Sequence, residues 1–183
     1  ISDLNNYKNY TFINIDIRDF KEINKIFKTY NITHVINLAA ESHVDNSINN
    51  PKLFLETNVL GTVNLLDAAR IHWKNCFENK LFFQISTDEV FGSLKNEGKF
   101  TETSPYKPNS PYSASKASAD HFVRSYGKTY NLPYIISNSS NNFGPNQNKE
   151  KLIPTVIKSI IENKMIPVYG NGKNIRDWIY VED

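Results

Sequence analysis

Short apolar runs alternate with longer amphipathic stretches along the chain, the pattern of a parallel sheet covered by helices on both faces. Tyr10 to Ile17 reads as a strand. Asp19 can cap a helix over Phe20 to Tyr30, where Phe20, Ile23, Ile26 and Phe27 share one face at spacings of three and four. His34 to Ala39 is short and almost wholly apolar, as a strand buried on both faces should be. Asn50-Pro51 opens a long helix to about His72, with Leu53, Phe54, Asn58, Leu65 and Ala69 on its inner face. Leu81 to Ser86 is another buried strand.

From Thr87 to Ser110 the text changes: Gly92, Gly98, Pro105 and Pro108 punctuate a polar stretch too long for a plain connector, which marks it as functional. Tyr112 to Tyr130 reads as a helix, Leu132 to Ser137 as a strand, and Asn138 to Glu150 as an amide-rich loop. A helix over Lys151 to Asn163 follows, then a short strand from Ile166 to Tyr169 ended by an Asn171-Gly172 turn. The apolar-aromatic run before Val181 reads as a strand or helix entry. Starting without Met and stopping just after that run, the chain reads as a fragment.

Composition narrows the class. With 183 residues, 39% hydrophobic and 22% charged, the profile is that of a globular domain and excludes disordered, collagen-like and coiled-coil classes. No apolar run approaches the roughly 18 to 20 residues of a membrane-spanning helix, and no signal peptide stands at Ile1-Ser2-Asp3. Cys76 is the one cysteine, so no internal disulfide or thiolate cluster can form, and a reducing, cytoplasmic setting fits. A net charge of +2 gives no field that argues for nucleic acid or an anionic membrane, so the expected partner is small. Asn is so frequent that Asn-x-Ser/Thr matches at Asn9, Asn31 and Asn138 are expected by chance.

Tyr112 and Lys116 stand four apart near the start of a helix, which puts phenol and ammonium on one face. A fixed cation favours the phenolate and lowers a tyrosine's pKa from about 10. On spacing alone such a pair is more often a solvated helix face. Its setting changes that: the strand Leu81 to Ser86 delivers Thr87-Asp88-Glu89 from its carboxyl end, the edge where open α/β sheets bind ligands. Asp88 and Glu89 read either as a cap or turn, or as a general acid beside a general base. Leu38 to His43 ends the previous strand similarly, with small residues that let a flat ligand approach the backbone. His43 lies near Glu41 and Asp45, yet no other histidine stands at ligand spacing, and no metal is expected. Asp16 can cap a helix or hold an adenosine.

Together these segments resemble the nucleotide-sugar 4,6-dehydratases of the extended short-chain dehydrogenase/reductase family. The resemblance runs through Asp16-Ile17-Arg18-Asp19, Leu38 to Asp45, Glu56 to Thr62, Ile85 to Gly92, Ser110 to Ser118, Ser140 to Pro145, Glu150 to Pro154 and Ile175 to Trp178. The acid pair after Thr87 is the discriminating element, since epimerases of the superfamily lack it. The resemblance implies an α/β fold: a Rossmann-like doubly wound parallel sheet, lacking its first strands, with the start of a smaller C-terminal lobe. Residues 1–140 would belong to the NAD-binding domain and 141–183 to a substrate-binding lobe interleaved with it. It implies NAD as cofactor and dTDP-glucose as substrate, converted to the 4-keto-6-deoxy sugar on the way to deoxysugars such as rhamnose.

The roles carried over are these. Tyr112, activated by Lys116, takes the carbon-4 hydroxyl proton, and Thr87 bonds near that oxygen. Glu89 removes the carbon-5 proton and Asp88 protonates the departing carbon-6 hydroxyl. Asp16 and Ile17 meet the adenosine; Leu38, Ala39, Ala40, Ser42 and Thr57 line the NAD with Tyr112 and Lys116; Asn142 lies at the nicotinamide side. Ser42, Thr87, Asn141, Lys151, Leu152, Pro167, Val168, Tyr169 and Arg176 match substrate-contacting positions, the guanidinium suiting a diphosphate. A homodimer is implied, with Trp73, Phe122 and Tyr126 as candidates for its apolar face. A UDP-glucose dehydratase, a 4-epimerase, or a non-catalytic nucleotide-sugar or NAD-binding subunit are the alternatives.

The family's Gly-x-x-Gly-x-x-Gly turn is absent: the glycines stand at 61, 92, 98, 127, 144, 170 and 172. By the resemblance that turn and its neighbouring strands lie upstream of Ile1, and the rest of the smaller lobe lies past Asp183. The 183 residues alone are therefore expected neither to fold stably nor to bind NAD tightly, because the pyrophosphate lacks its helix N-terminus.

Overall fold

The computed structural model describes residue 4 and residues 6–94, 98–168 and 170–183. They divide into two compact units, Ile1–Ser137 and Asn138–Asp183.

The first unit is α/β. Helix α1 (Phe20–Thr29) starts where the Asp19 carboxylate accepts the backbone N–H of Glu22, and buries Ile23 and Phe27. Strand β1 (His34–Asn37) runs parallel to β2 (Leu81–Thr87), pairing Val35 with Phe82 and Asn37 with Gln84, and β3 (Tyr134–Ser139) lies on the other side of β2. The connection from β1 to β2 passes through α2 (Val44–Asn49), α3 (Pro51–Phe54), a π-helical turn (Leu55–Leu60) and α4 (Gly61–Trp73). That length of helix is what a parallel crossover needs. Helix α5 (Pro111–Tyr130) begins at a reciprocal cap in which the Ser110 and Ser113 side chains each accept the other's backbone N–H, with Pro111 at its first position.

The core joins α1, α4, α5 and the sheet through Ile23, Phe27, Leu66, Ala69, Trp73, Phe82, Val123 and Leu132. It is not wholly apolar. Asn37 Nδ2 donates to Gln84 Oε1 at 2.9 Å and to Thr62 Oγ1 at 3.1 Å, so buried side-chain amides stitch β1, β2 and α4 beneath the carboxyl ends of the strands. In the second unit β4 (Asn141–Phe143) pairs in parallel with β5 (Trp178–Tyr180), and α6 (Leu152–Ile161) stands between them in sequence.

Several sequence expectations are corrected. Tyr10 to Ile17 forms no strand: among the described residues nothing pairs with it, and a strand exists only as part of a ladder. Its apolar end still packs, with Ile15 and Ile17 against the core and Ile17 over Gly61, where a β-carbon would collide with it. The Asn64 side chain donates to the carbonyls of Ile17 (3.0 Å) and Arg18 (2.9 Å), fixing that stretch as a turn. The segment from Ile166 has no regular structure to residue 168, Tyr169 lies outside the described residues, and the strand of this region is β5 instead. Residues 141–143, read as loop, are β4. The π-helical turn inserts an extra residue per turn, which helps put Asn58, Thr62 and Leu66 on the buried face while Leu65 is only half-buried. Trp73 is buried and its indole N–H donates to the Ile32 carbonyl at 2.9 Å, so it is a core residue and not part of an outer apolar face.

Candidate active site

The site grows from the carboxyl end of β2. Thr87 leaves the strand extended and its hydroxyl accepts the Glu89 N–H at 3.3 Å, capping a 3₁₀ turn over Asp88–Phe91 that buries Val90 and Phe91. The turn is pinned from beyond: Lys107 N–H donates to the Val90 carbonyl at 2.9 Å. Gly92 sits at φ +91°, with the Lys107 carbonyl where a β-carbon would be, so only glycine lets the two chains approach. The long polar segment thus folds back on the turn, and Phe100 and Tyr106 close on Phe91 at 5.2 Å.

Against this turn stands the first turn of α5. The Tyr112 phenol lies within the influence of the Thr87 side chain, and the Glu89 and Asp88 carboxylates act on it through space; the Thr87 hydroxyl itself donates to Asp88 Oδ1 at 3.3 Å. Thr87, Asp88, Glu89 and Tyr112 are therefore brought together from two elements. The sense of the electrostatics differs from the spacing argument. Burial, then Glu89, push the Tyr112 phenol up to about 12, and the Thr87 side chain opposes them. Lys116, one helical turn on, is buried and donates its ammonium to the Ile85 carbonyl at 2.6 Å. Burial pulls its pKa down while Asp120 pushes it back up. The expected lowering of the phenol by its lysine neighbour is thus not the dominant influence at Tyr112; desolvation and carboxylates are.

Asn58, which the sequence reading placed only on a helix face, ties the neighbouring strand end to α5. Its side chain accepts the Glu41 N–H at 2.8 Å and donates to the Glu41 carbonyl at 3.0 Å and to Ser115 Oγ at 2.8 Å. Ser115 precedes Lys116. The only sequence signal was an amide inside an apolar helical face; the structure places it within the π-helical turn, a feature that often marks functional sites.

The stretch held by Asn58 fits a flat cofactor: Leu38 is 69% exposed and Ala39 exposed at the carboxyl end of a parallel strand, an open ledge of small apolar side chains. Ser42 is exposed there and Thr57 is half-buried. Asp16 does not cap α1. Its carboxylate accepts Arg18 Nη2 at 2.6 Å and Arg18 N–H at 2.8 Å, and that pairing holds it below the usual carboxylate range. Ile17 is half-buried over Gly61.

The remaining expected positions belong to the second unit. Asn141 and Asn142 are exposed on β4; Lys151 precedes α6, and Leu152 is exposed in its first turn. Pro167, Val168 and Arg176 are exposed, and the Arg176 guanidinium donates to the Ile175 carbonyl at 2.9 Å. Among the described residues no group of three His, Cys, Asp or Glu side chains could hold a metal ion, and no helix is long and apolar enough to cross a membrane.

A family model described as GDP-mannose 4,6 dehydratase matches residues 1–183, and the chain belongs to that family. It is 53% identical over 96% of its length to a probable dTDP-glucose 4,6-dehydratase of Sinorhizobium fredii, covering 51% of that protein. It is 50% identical over its whole length to the dTDP-glucose 4,6-dehydratase of Salmonella typhimurium, covering 54%. The chain thus spans about half the length of the curated relatives it matches. The dTDP-glucose 4,6-dehydratase of Streptomyces venezuelae, solved with NAD bound, superposes with a TM-score of 0.90 at 38% identity, over 99% of this chain and 54% of that one. A UDP-glucose 4-epimerase from Thermus thermophilus, also in complex with NAD, reaches 0.85 at 29% identity, over 97% and 58%. The fold is shared by both chemistries, so the reaction must be argued from side chains.

Proposed function

We propose that the full-length protein is a dTDP-glucose 4,6-dehydratase that forms dTDP-4-keto-6-deoxyglucose. The observation that carries this reading is the convergence on the Tyr112 phenol of the Thr87 side chain and the Glu89 and Asp88 carboxylates, all delivered by the end of β2 and the turn that follows it. A 4-epimerization needs the first pair alone; loss of water across carbons 5 and 6 needs an additional base and acid. The names of relatives at about half identity support the same substrate.

NAD, when bound, supplies an acceptor for the carbon-4 hydride and a donor of that hydride to carbon 6. Leu38, Ala39, Ala40, Ser42 and Thr57 would hold it with Asp16, Ile17, Asn142, Tyr112 and Lys116. Tyr112 receives the carbon-4 hydroxyl proton, with the Thr87 hydroxyl bonded to the same oxygen. Because burial and carboxylates hold the phenol at about 12 and only the Thr87 side chain opposes them, the remaining offset, once the site is filled, falls to the Lys116 ammonium on the same helix face. The carbon-4 ketone acidifies carbon 5. Glu89 then takes the carbon-5 proton and Asp88 delivers a proton to the leaving carbon-6 hydroxyl, so that water departs; as carbon 6 is reduced, Glu89 returns a solvent-exchanged proton to carbon 5, and Tyr112 loses and Asp88 regains a proton by exchange. Asn141, Lys151, Leu152, Pro167, Val168 and Arg176, with Ser42 and Thr87, are the proposed sugar-nucleotide contacts; Tyr169 completes that set but is outside the described residues. Residues 1–140 would form the NAD-binding part and 141–183 the start of the substrate lobe.

A cytoplasmic homodimer completes the proposal. Its support is the packing of α4 beside α5 with Leu60, Ile71, Phe122 and Tyr130 still exposed. The test of function is incubation of the full-length protein with NAD⁺ and dTDP-glucose or UDP-glucose in deuterated water. A 4-keto-6-deoxy sugar carrying deuterium at carbon 5 is expected, formed faster from dTDP-glucose. Inversion at carbon 4 with carbon 6 intact means an epimerase, faster turnover of UDP-glucose changes the nucleotide, and no turnover favours a binding subunit.

A further inference from the structure

Asp120 is almost fully buried, 2% exposed, on the inner face of α5. Two hydroxyl groups converge on one of its oxygens: Ser86 Oγ donates to Oδ2 at 2.6 Å and Tyr106 OH donates to the same atom at 3.0 Å. Two donors on a single oxygen are what a carboxylate accepts and a neutral acid satisfies poorly. The donors come from different places. Ser86 is the residue before Thr87 on β2, and Tyr106 belongs to the long segment that folds back over the 3₁₀ turn. Asp120 also lies one helical turn beyond Lys116, whose ammonium is bonded to Ile85, the residue before Ser86. A buried acid and a buried ammonium on α5 thus grip consecutive residues at the end of β2.

We infer that Asp120 is a positioning residue of the proposed dehydratase site, holding the end of β2 in register with α5 and supplying the negative charge that faces the Lys116 ammonium. The inference rests on the proposed function for its catalytic meaning, but its geometry does not. Without a counter-charge, burial would pull the Lys116 ammonium further below its ordinary range and weaken the one cation on the Tyr112 face of α5. The other titratable groups facing this corner are Tyr112 on α5, Asp88 and Glu89 on the 3₁₀ turn, and Tyr106, with the His121 ring tilted against Tyr106 at 5.3 Å. Of these only Asp120 raises the Lys116 pKa.

The experiment uses the full-length protein labelled with ¹³C at lysine Cε, the Lys116 resonance being assigned by its loss in Lys116→Arg. In Asp120→Asn, Lys116 should titrate at least about one pH unit lower while other lysines do not move, and Asp120→Glu should restore it. With dTDP-glucose, kcat of Asp120→Asn should fall at least about tenfold with KM nearly unchanged, and recover in Asp120→Glu. A purely structural aspartate would lower stability and leave the Lys116 titration in place, which overturns the inference. Should Asp120→Asn fail to fold, the wild-type carboxyl carbon of Asp120, assigned with Asp120→Glu, decides: a carboxylate shift at pH 7 supports the role, and a protonated-acid shift overturns it. If wild-type protein turns over neither sugar, the proposed reaction fails while the titration still reports the charge pairing.

Discussion

The Thr87 side chain acts on the Tyr112 phenol across the gap between β2 and α5, and its influence works against the burial that holds the phenol protonated. Replacing Thr87 by Val keeps the volume and removes the hydroxyl. The phenol then moves further up, and kcat should fall by about one to two orders of magnitude with KM little changed. Tyr112→Phe removes the proton carrier and should cost more, on the order of a thousandfold or above. Steady-state kinetics of the two variants on dTDP-glucose check the ordering, and equal losses would contradict it.

Stability should fall at high pH through the same residue. The Tyr112 phenol ionises near 10 in the unfolded chain and at about 12 in the folded protein. Below pH 10 both states keep the proton and the contribution is fully present. Between pH 10 and 12 the unfolded state ionises first, so stability is lost over that window, amounting to about 2–3 kcal/mol. Tyr126, raised to about 12 by burial and its bond to Asp67, adds a smaller, solvent-screened loss over the same range. Denaturant unfolding at pH 9.5 and 11.5 should show a smaller drop for Tyr112→Phe than for wild type.

The buried Asn58 side chain makes three hydrogen bonds, two to the Glu41 backbone and one to Ser115. Asn58→Ala strands the Glu41 N–H and leaves a cavity between the π-helical turn and α5, at an expected cost of about 2–4 kcal/mol. Because Glu41 follows the ledge at Leu38 to Ala40, the NAD concentration needed for half-maximal rate should rise as well. A variant with lost stability but unchanged NAD dependence would confine Asn58 to folding.

Much of this was legible in the chain because local chemistry and tertiary structure agree. Asp19 and the spacing of Ile23 and Phe27 specify α1, and Ser110-Pro111 specifies the start of α5. What was not legible depended on partners distant in sequence. Residues 10–17 have strand composition but no neighbour to pair with among the described residues, whereas Asn141-Asn142-Phe143 has loop composition and is a strand because Trp178–Tyr180 lies beside it. The four-residue spacing of Tyr112 and Lys116 was visible. The direction of the tyrosine's shift was not, since it is set by burial and by Glu89, 23 positions away. Asp120 shares the helix face with both, yet only the approach of Ser86 and Tyr106 distinguishes it from an ordinary polar position.

Glu89 and Asp88 should separate by the step at which their variants stop. Glu89 lies close enough to Tyr112 for its charge to be the second cause, after burial, of the phenol's raised pKa. Removing that charge in Glu89→Gln should therefore lower the Tyr112 pKa and raise its phenolate fraction while abolishing removal of the carbon-5 proton. The variant is expected to oxidise carbon 4, to bring no solvent deuterium to carbon 5, and to lose dehydration by about two to four orders of magnitude. Asp88→Asn retains the base and lacks the acid, so it should still exchange the carbon-5 proton with deuterated water while releasing water slowly. Tyr112→Phe should do neither, because no ketone forms to acidify carbon 5. Mass and NMR analysis of recovered sugar from the three variants distinguishes them: deuterium in the Glu89→Gln sugar, or its absence in the Asp88→Asn sugar, would reverse the assignment of base and acid within the pair.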